Sequence, residues 1–248
     1  MSSSTSSAVC RGRAFGSDAE TLRALGLCTE LPAAPDVLDV GCGPGAQTVV
    51  LARATGGRVT AVDLHEEFLD ELRDRASAAD VRERVTIRHG DMRELPDGRR
   101  SFDLIWCEGA AYIMGVPEAL TAWRRLLRPG GYVAYSELVW TEPDPPAEVV
   151  EFYAVGYPGM TDVAGNHTRI REAGYDHVGH FRLPGSAWWD EYLAPLEAKL
   201  PGLVAKYAGD EAALAIVDST RREIDLRRRY PESFGYEFLA ARVMPGPA

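Results

Sequence analysis

Short apolar runs and amphipathic stretches take turns along the first part of the chain. VLDV (37–40), RVTAVDL (58–64), VTIRHGD (85–91), FDLIWCEG (102–109) and YVAYSELVW (132–140) are brief and rich in β-branched and aromatic residues, and they read as strands. Between them, AQTVVLARAT (46–55), EEFLDELRDRASAA (66–79) and PEALTAWRRLL (117–127) carry apolar residues at helical spacing. In the second of these, Phe68, Leu69 and Leu72 share one face, and Pro129-Gly130-Gly131 stops the third. Strands separated by helices imply parallel pairing through right-handed crossovers. Strands that are apolar nearly throughout fit a sheet covered by helices on both faces.

The two ends of the chain follow other patterns. Ser17-Asp18-Ala19-Glu20 is a helix start, with a capping side chain and then acidic residues in the first turn. Pro32 and Pro35 close that segment. The serine-rich residues 1–16 are expected to be a disordered tail. After Trp140 comes a loop (141–146), then a short helix ending near Gly156 or Pro158, a helix over 168–175 and a sixth strand over 177–184. Residues 185–234 read mostly as helix, and FGYEFLAARVM (234–244) is a seventh strand. The expected architecture is α/β: a seven-stranded, mostly parallel sheet with helices on both faces. It forms a single domain over 17–248, with helical cap elements at about 143–176 and 185–233.

Bulk properties narrow the partners. The length of 248 residues suits one large domain with a real core. A formal net charge of −10 makes long nucleic acid and anionic membrane surfaces poor partners. The cysteines Cys10, Cys28, Cys42 and Cys107 form no CxxC pair, so free thiols in a reducing cytoplasm are expected. The N-terminus lacks the basic start and apolar core of a secretory signal, and no run is long and apolar enough to span a bilayer.

The chemistry begins at VLDVGCGPGAQT (37–48), where a strand runs into Gly41, Gly43 and Gly45 and then into a helix. Such a turn lets a ligand touch the main chain beside the positive end of a helix. Three readings are open: a purely structural turn, a nicotinamide or flavin dinucleotide, and S-adenosylmethionine. The segment fits G-x-G-x-x-A, with Asp63 eighteen residues beyond Gly45, so the bare pattern does not exclude the dinucleotide.

Further features tip the balance. Asp39 lies two positions before the first glycine, Asp63 ends VTAVDL, HGDMRELP (89–96) places Asp91 at the next strand end, and LRPGGYVAYSE leads into the fifth strand. In this order the chain resembles the class I S-adenosylmethionine-dependent methyltransferases over residues ~17–140. SEL-W, PAEVVEFY, HFRLP, WW and the closing GYEF extend the resemblance to a bacterial subgroup that acts on small molecules. The resemblance implies a Rossmann-like core with S-adenosyl-L-methionine as cofactor. It implies that the loop of Gly41, Gly43 and Gly45 faces the methionine part, with Asp39 ordering that loop. It implies that Asp63 binds the ribose beside Leu64, and that Asp91 meets the adenine amine with Met92 on the ring. Cys107 and Glu108 are then expected near the reacting methyl, and the segment around Ser17 is expected to close over the methionine end.

A sulfonium methyl is already activated, so the reaction asks chiefly for alignment and exclusion of water, with a base where the acceptor must lose a proton. Glu108, Tyr112 and Glu137 are the candidate acceptor-side groups, and His167, read as a loop residue, is a candidate base. Trp140 and the cap aromatics Phe152, Tyr153, Tyr157, Trp188, Trp189 and Tyr192 suit an aromatic or cationic acceptor, or else form the cap's own core. The expected reaction is methyl transfer to nitrogen or oxygen of a small acceptor. The rivals are a nicotinamide-dependent oxidoreductase and a noncatalytic cofactor-binding protein. WCEG stands where a DNA adenine methyltransferase carries an NPPY-like motif. His177 and His180 are read as strand residues without an obvious third ligand, so no metal site is expected. The basic run RREIDLRRRY (221–230) is read as a solvated helix face, with Ile224 and Leu226 partly inward.

Overall fold

Five parallel strands build the half of the sheet that carries the glycine turn. The computed structural model describes residues 17–244, so the expected tail lies outside the described residues. The strands are β1 (Asp36–Val40), β2 (Arg58–Asp63), β3 (Val85–His89), β4 (Phe102–Glu108) and β5 (Leu127–Trp140). Helices α1 (Asp18–Leu25), α2 (Ala46–Thr55), α3 (Glu66–Ala78) and α4 (Val116–Arg124) surround them. The sheet order is β3-β2-β1-β4-β5-β8-β7, where β7 is Tyr175–Arg182 and β8 is Phe234–Val243. β8 runs antiparallel to both of its neighbours, β5 and β7. Chain order reverses between β1 and β4, which opens a crevice beyond their carboxyl ends.

The strands alternate sides, and this places the core in two layers. Val37, Ala61 and Trp106 face Leu51, Leu69 and Leu72 on one side; Leu38, Ile105, Val133 and Tyr135 face Leu120, Trp123 and Ile170 on the other. The first layer continues into the late helices. The remaining elements are α5 (Ala147–Gly156), β6 (Thr161–Asp162), α6 (Val163–Glu172), α7 (Gly185–Trp188), α8 (Ala194–Lys206) and α9 (Glu211–Arg229). Trp188 packs edge-on against Phe234 and Tyr236, with ring centres 5.7 and 5.2 Å away.

Several sequence expectations shift. The two-residue β6 is an eighth strand beside the end of β5, too short to leave a periodic signal. Pro129-Gly130-Gly131 does not delay β5, which starts at Leu127, because Gly130 adopts a positive φ of 76° inside it. Helix α6 starts at Val163, five residues before the expected 168, because the Asp162 side chain caps it by accepting from the Gly165 N–H at 2.7 Å. The basic run is an exposed helix face with Ile224 and Leu226 inward, except that Arg227 is buried and donates to the Phe234 carbonyl at 2.5 Å, and Arg222, Arg229 and Tyr230 converge on Glu148 of α5. Those three partners hold the Glu148 carboxyl down at about 2. Among the described residues, no helix is long and apolar enough to cross a membrane.

Candidate active site

The crevice holds a cleft of about 270 Å³. Its lining brings together Gly41, Gly43, Asp63, Leu64, Asp91, Met92, Glu108 and Tyr112 from the sequence-derived set. Asp39, Gly45, Cys107, Glu137 and His167 do not line it. Sequence reading also missed His65, Phe68, Arg93 and the Gly109-Ala110 turn, which line it as well.

The three glycines do three jobs. All have positive φ, which explains their residue type. A Cβ on Gly41 would meet the Ala110 Cβ at 2.8 Å, so this glycine lets the turn after β4 close against the loop. A Cβ on Gly45 would meet Leu72 of α3 at 2.1 Å. Gly45 thus has a packing role of its own: its small size seats α2 against α3. Only Gly43 faces open space, with nothing within 4 Å. Gly45→Ala is expected to lower unfolding free energy by about 2–5 kcal/mol, combining left-handed backbone strain with overpacking. Gly43→Ala carries the backbone part alone, roughly 1–2 kcal/mol. Urea titration of both variants checks the difference.

Asp39 sits under this loop, fully buried, as the sequence suggested for an ordering role. It accepts from the Thr48 hydroxyl at 2.5 Å, while Gln47 of the same helix donates to the Cys42 carbonyl at 2.9 Å. Asp63, at the end of β2, is also built into the loop. Its Oδ2 accepts the Gly43 N–H at 2.9 Å, and its Oδ1 accepts the His65 N–H at 2.9 Å and lies 3.0 Å from His65 Nδ1. A carboxylate offers about four acceptor sites, so capacity remains on the cleft side. Asp91 Oδ1 accepts from the Arg93 N–H at 2.9 Å, and the Arg93 guanidinium reaches the Ile113 carbonyl at 2.7 Å. That bridge ties the turn after β3 to the turn after β4.

Buried acids dominate the far end. Glu108 Oε1 accepts from the Trp106 indole at 2.8 Å and from the Thr21 hydroxyl at 3.0 Å. The second bond holds α1 against the end of β4. Burial pushes Glu108 up to about 8 against these two donors, and the nearby Asp39 adds to the rise. Burial likewise carries Asp39 and Glu137 up to about 7. Glu137 Oε1 accepts from the Leu138 N–H at 3.0 Å; its buried Oε2 makes no well-formed hydrogen bond, but the Tyr157 hydroxyl and the Tyr112 main chain stand close enough to stabilise the carboxylate. Cys107 is a fully buried thiol held protonated by burial and by Asp39, Glu137 and Glu108, which leaves it no nucleophilic role.

Tyrosines cover this acidic end. Tyr112 stands at the cleft with its ring 5.5 Å from that of Tyr157, and Tyr157 and Arg169 oppose the rise at Glu137. Tyr236 is close enough to Glu137, Tyr112 and Tyr192 to feel all three. Tyr192 comes from a π-helical turn, Trp189–Leu193, that links α7 to α8 and hangs this ring over the cleft. His167 is not a loop residue: it lies in α6 against His177 and His180.

The sign of the pocket discriminates between ligands. The Gly43 N–H is committed to the Asp63 carboxylate, and Asp39 lies buried beneath the same loop. A pyrophosphate would meet carboxylates there, whereas a sulfonium and an ammonium would relieve them. A family model for a methyltransferase domain matches residues 37–131. The 27-O-demethylrifamycin SV methyltransferase of Amycolatopsis mediterranei (strain S699) is 30% identical over 224 residues, covering 86% of this chain and 78% of that protein. The chain belongs to the class I S-adenosylmethionine-dependent methyltransferases. A demethylmenaquinone methyltransferase of Staphylococcus aureus (strain JH9) is 36% identical over 155 residues, covering 60% of this chain and 61% of that one. The crystal structure of a methyltransferase from Geobacter sulfurreducens with S-adenosyl-L-homocysteine superposes with a TM-score of 0.72 at 26% identity, over 91% of this chain and 90% of the other. This methyltransferase uses S-adenosylmethionine, and the nicotinamide reading is set aside. The open face of Gly43 and the acidic interior fit that cofactor.

Proposed function

We propose that this methyltransferase acts on a hydroxyl oxygen of a small organic acceptor, in metabolism or natural-product synthesis, with Glu137 as the proton acceptor. One observation carries the reading: a buried carboxylate, pushed up to about 7 by burial, lies against Tyr157 and Tyr112, and Tyr112 borders the cofactor cleft. A base poised near neutrality is what a hydroxyl acceptor needs. The name of the rifamycin relative specifies an oxygen acceptor on a small molecule, which supports the same choice. An amine is the second reading, favoured by the tyrosine faces around an acid.

In this reading Asp63 holds the ribose hydroxyls, with Leu64 beside the adenine. Asp91 meets the adenine amine and Met92 covers the ring. Gly41 and Gly43 give the methionine part access to the main chain. When bound, the cofactor supplies an electrophilic methyl on a sulfonium. Glu108 neutralises the cationic end of the cofactor, and Thr21 and Trp106 orient Glu108. Tyr112 and Tyr192, which line the cleft, pack the acceptor and exclude water, and Glu137, buried behind Tyr112 and Tyr157, takes the proton once the acceptor displaces that cover. The net charge of −10 and the narrow cleft support a small acceptor over nucleic acid. The buried free thiols Cys28, Cys42 and Cys107 support a cytoplasmic setting.

Calorimetric titration with S-adenosylhomocysteine, with NAD in parallel, is expected to show saturable binding of the first alone. A panel of phenols, alcohols and amines, followed by S-adenosylhomocysteine release, then tests the acceptor. Turnover confined to amines would move the assignment to nitrogen. Binding without turnover across the panel would favour the noncatalytic protein.

A further inference from the structure

Three of the chain's five histidines meet on the outer edge of the sheet. His177 and His180 belong to β7, the edge strand, and His167 to α6, which packs on it. Three positions apart, the two strand histidines would point to opposite faces of a regular ladder. They do not, because Val178 is the extra residue of a β-bulge: His177 pairs with Ala241, Gly179 with Ala240 and His180 with Leu239. Ala241 and Leu239 share a face, and both histidines follow them. The His167 ring then stacks 3.9 Å from His177 and 5.0 Å from His180, centre to centre. One ring nitrogen of each lies within 4.8 Å of the other two.

Two features go beyond crowding. His180 Nδ1 lies 2.6 Å from Oε1 of Glu237, a buried carboxylate on β8. Glu237 as a carboxylate only accepts, so Nδ1 carries the proton and Nε2 keeps its lone pair. This carboxylate–histidine pairing is the arrangement that orients and strengthens metal-ligating imidazoles. His167 Nε2 is buried without any hydrogen-bond partner. An orphaned ring nitrogen at the meeting point of two other imidazoles has an unmet need that a cation would fill. The neighbourhood suits a dication: Asp162 and Glu237 both act on His167, against Arg182, which stands 3.7 Å from Glu237 Oε2.

We propose that His167, His177 and His180 form a zinc site that clamps α6 to the edge strand β7, with Glu237 as the positioning residue behind His180. Three neutral imidazoles suit a borderline transition-metal ion and not magnesium or calcium. Zn–N bonds of roughly 2.0–2.1 Å in a tetrahedron set nitrogens roughly 3.3 Å apart, so small ring rotations close the present spacing. His177 and His180 are exposed, so the ion has an entry path and water can take the fourth position. The clamp sits two strands beyond β5, outside the lining of the cofactor cleft. It is a structural site and takes no part in methyl transfer.

The test uses the full-length chain without an affinity tag, stripped by a chelator, loaded with zinc chloride and passed through a desalting column. Elemental analysis is expected to find one zinc per chain. Cobalt(II) in its place should give the visible absorption of a tetrahedral site. Zinc at a hundredfold excess over its Kd should raise Tm by roughly 5–10 °C. The double variant His177→Gln/His180→Gln should retain no zinc while binding S-adenosylhomocysteine as the parent does, which shows that it is folded. Glu237→Gln should weaken zinc binding about 10–100-fold. Zinc retained well below one equivalent by the parent, or equally by the double variant, would overturn the proposal.

Discussion

Replacing Glu137 with glutamine is expected to lower kcat by about 10²–10⁴ with little change in KM, the range removed with a general base. The change is isosteric and keeps the acceptor for the Leu138 N–H. What it removes is the proton-accepting charge at Oε2. The pH profile separates chemistry from packing. Burial raises this acid from 4.5 to about 7, so below neutrality the folded enzyme holds it protonated and inactive as a base. The rate of the parent should therefore climb about tenfold per unit below pH 7 and level off above it. Glu108, at about 8, and Asp39, at about 7, titrate in the same interval and act on one another. The limb thus belongs to a coupled set until a variant assigns it. In Glu137→Gln the limb in kcat should vanish. In Glu108→Gln it should persist while cofactor affinity falls. A Glu137→Gln enzyme with full kcat and an unchanged profile would move the base elsewhere, or show that the acceptor needs none.

The fold was legible where local chemistry decides it. Buried parallel strands announce themselves as short apolar runs, and the carboxylates at their ends mark the crevice, so Asp63, Asp91 and Glu108 could be placed by order alone. What stayed hidden depends on contacts distant in sequence or on single-residue geometry. Thr21 reaches Glu108 across 87 positions, and nothing near Thr21 announces it. Gly45 matches the motif as well as Gly43 does, yet only packing reveals that it faces Leu72 and not the cleft. Gly165 made the start of α6 look like loop. It is needed there because a Cβ would meet the Thr161 hydroxyl at 2.1 Å, and the capping Asp162 was the available signal. The histidine pair in HVGH read as strand residues without an obvious third ligand. An inserted residue turns both to one face, and the third histidine comes from a helix whose start had been misplaced.

The second large effect is expected at Asp63. Asp63→Ala should bind S-adenosylhomocysteine about 100-fold more weakly. Losing the one acceptor position left for the ribose, worth roughly 1.5–3 kcal/mol as a charge-assisted hydrogen bond, gives a factor of roughly 10–150. The same carboxylate holds the Gly43 and His65 N–H groups, so the alanine also loosens the loop that faces the methionine part. Asp63→Asn separates the two contributions. It retains one oxygen for a backbone donor and loses the charge, so its affinity should fall by roughly tenfold, between parent and alanine. Calorimetry gives both affinities, and thermal unfolding without ligand reports the loop. If Asp63 only braces the loop, the alanine variant would unfold earlier yet bind with unchanged affinity well below its Tm, and the ribose role would be lost. If it does both, binding and stability fall together in alanine while asparagine keeps most of the stability and loses the affinity. The second pattern is expected because Asp63 ends β2 at the cleft wall with acceptor capacity still unspent.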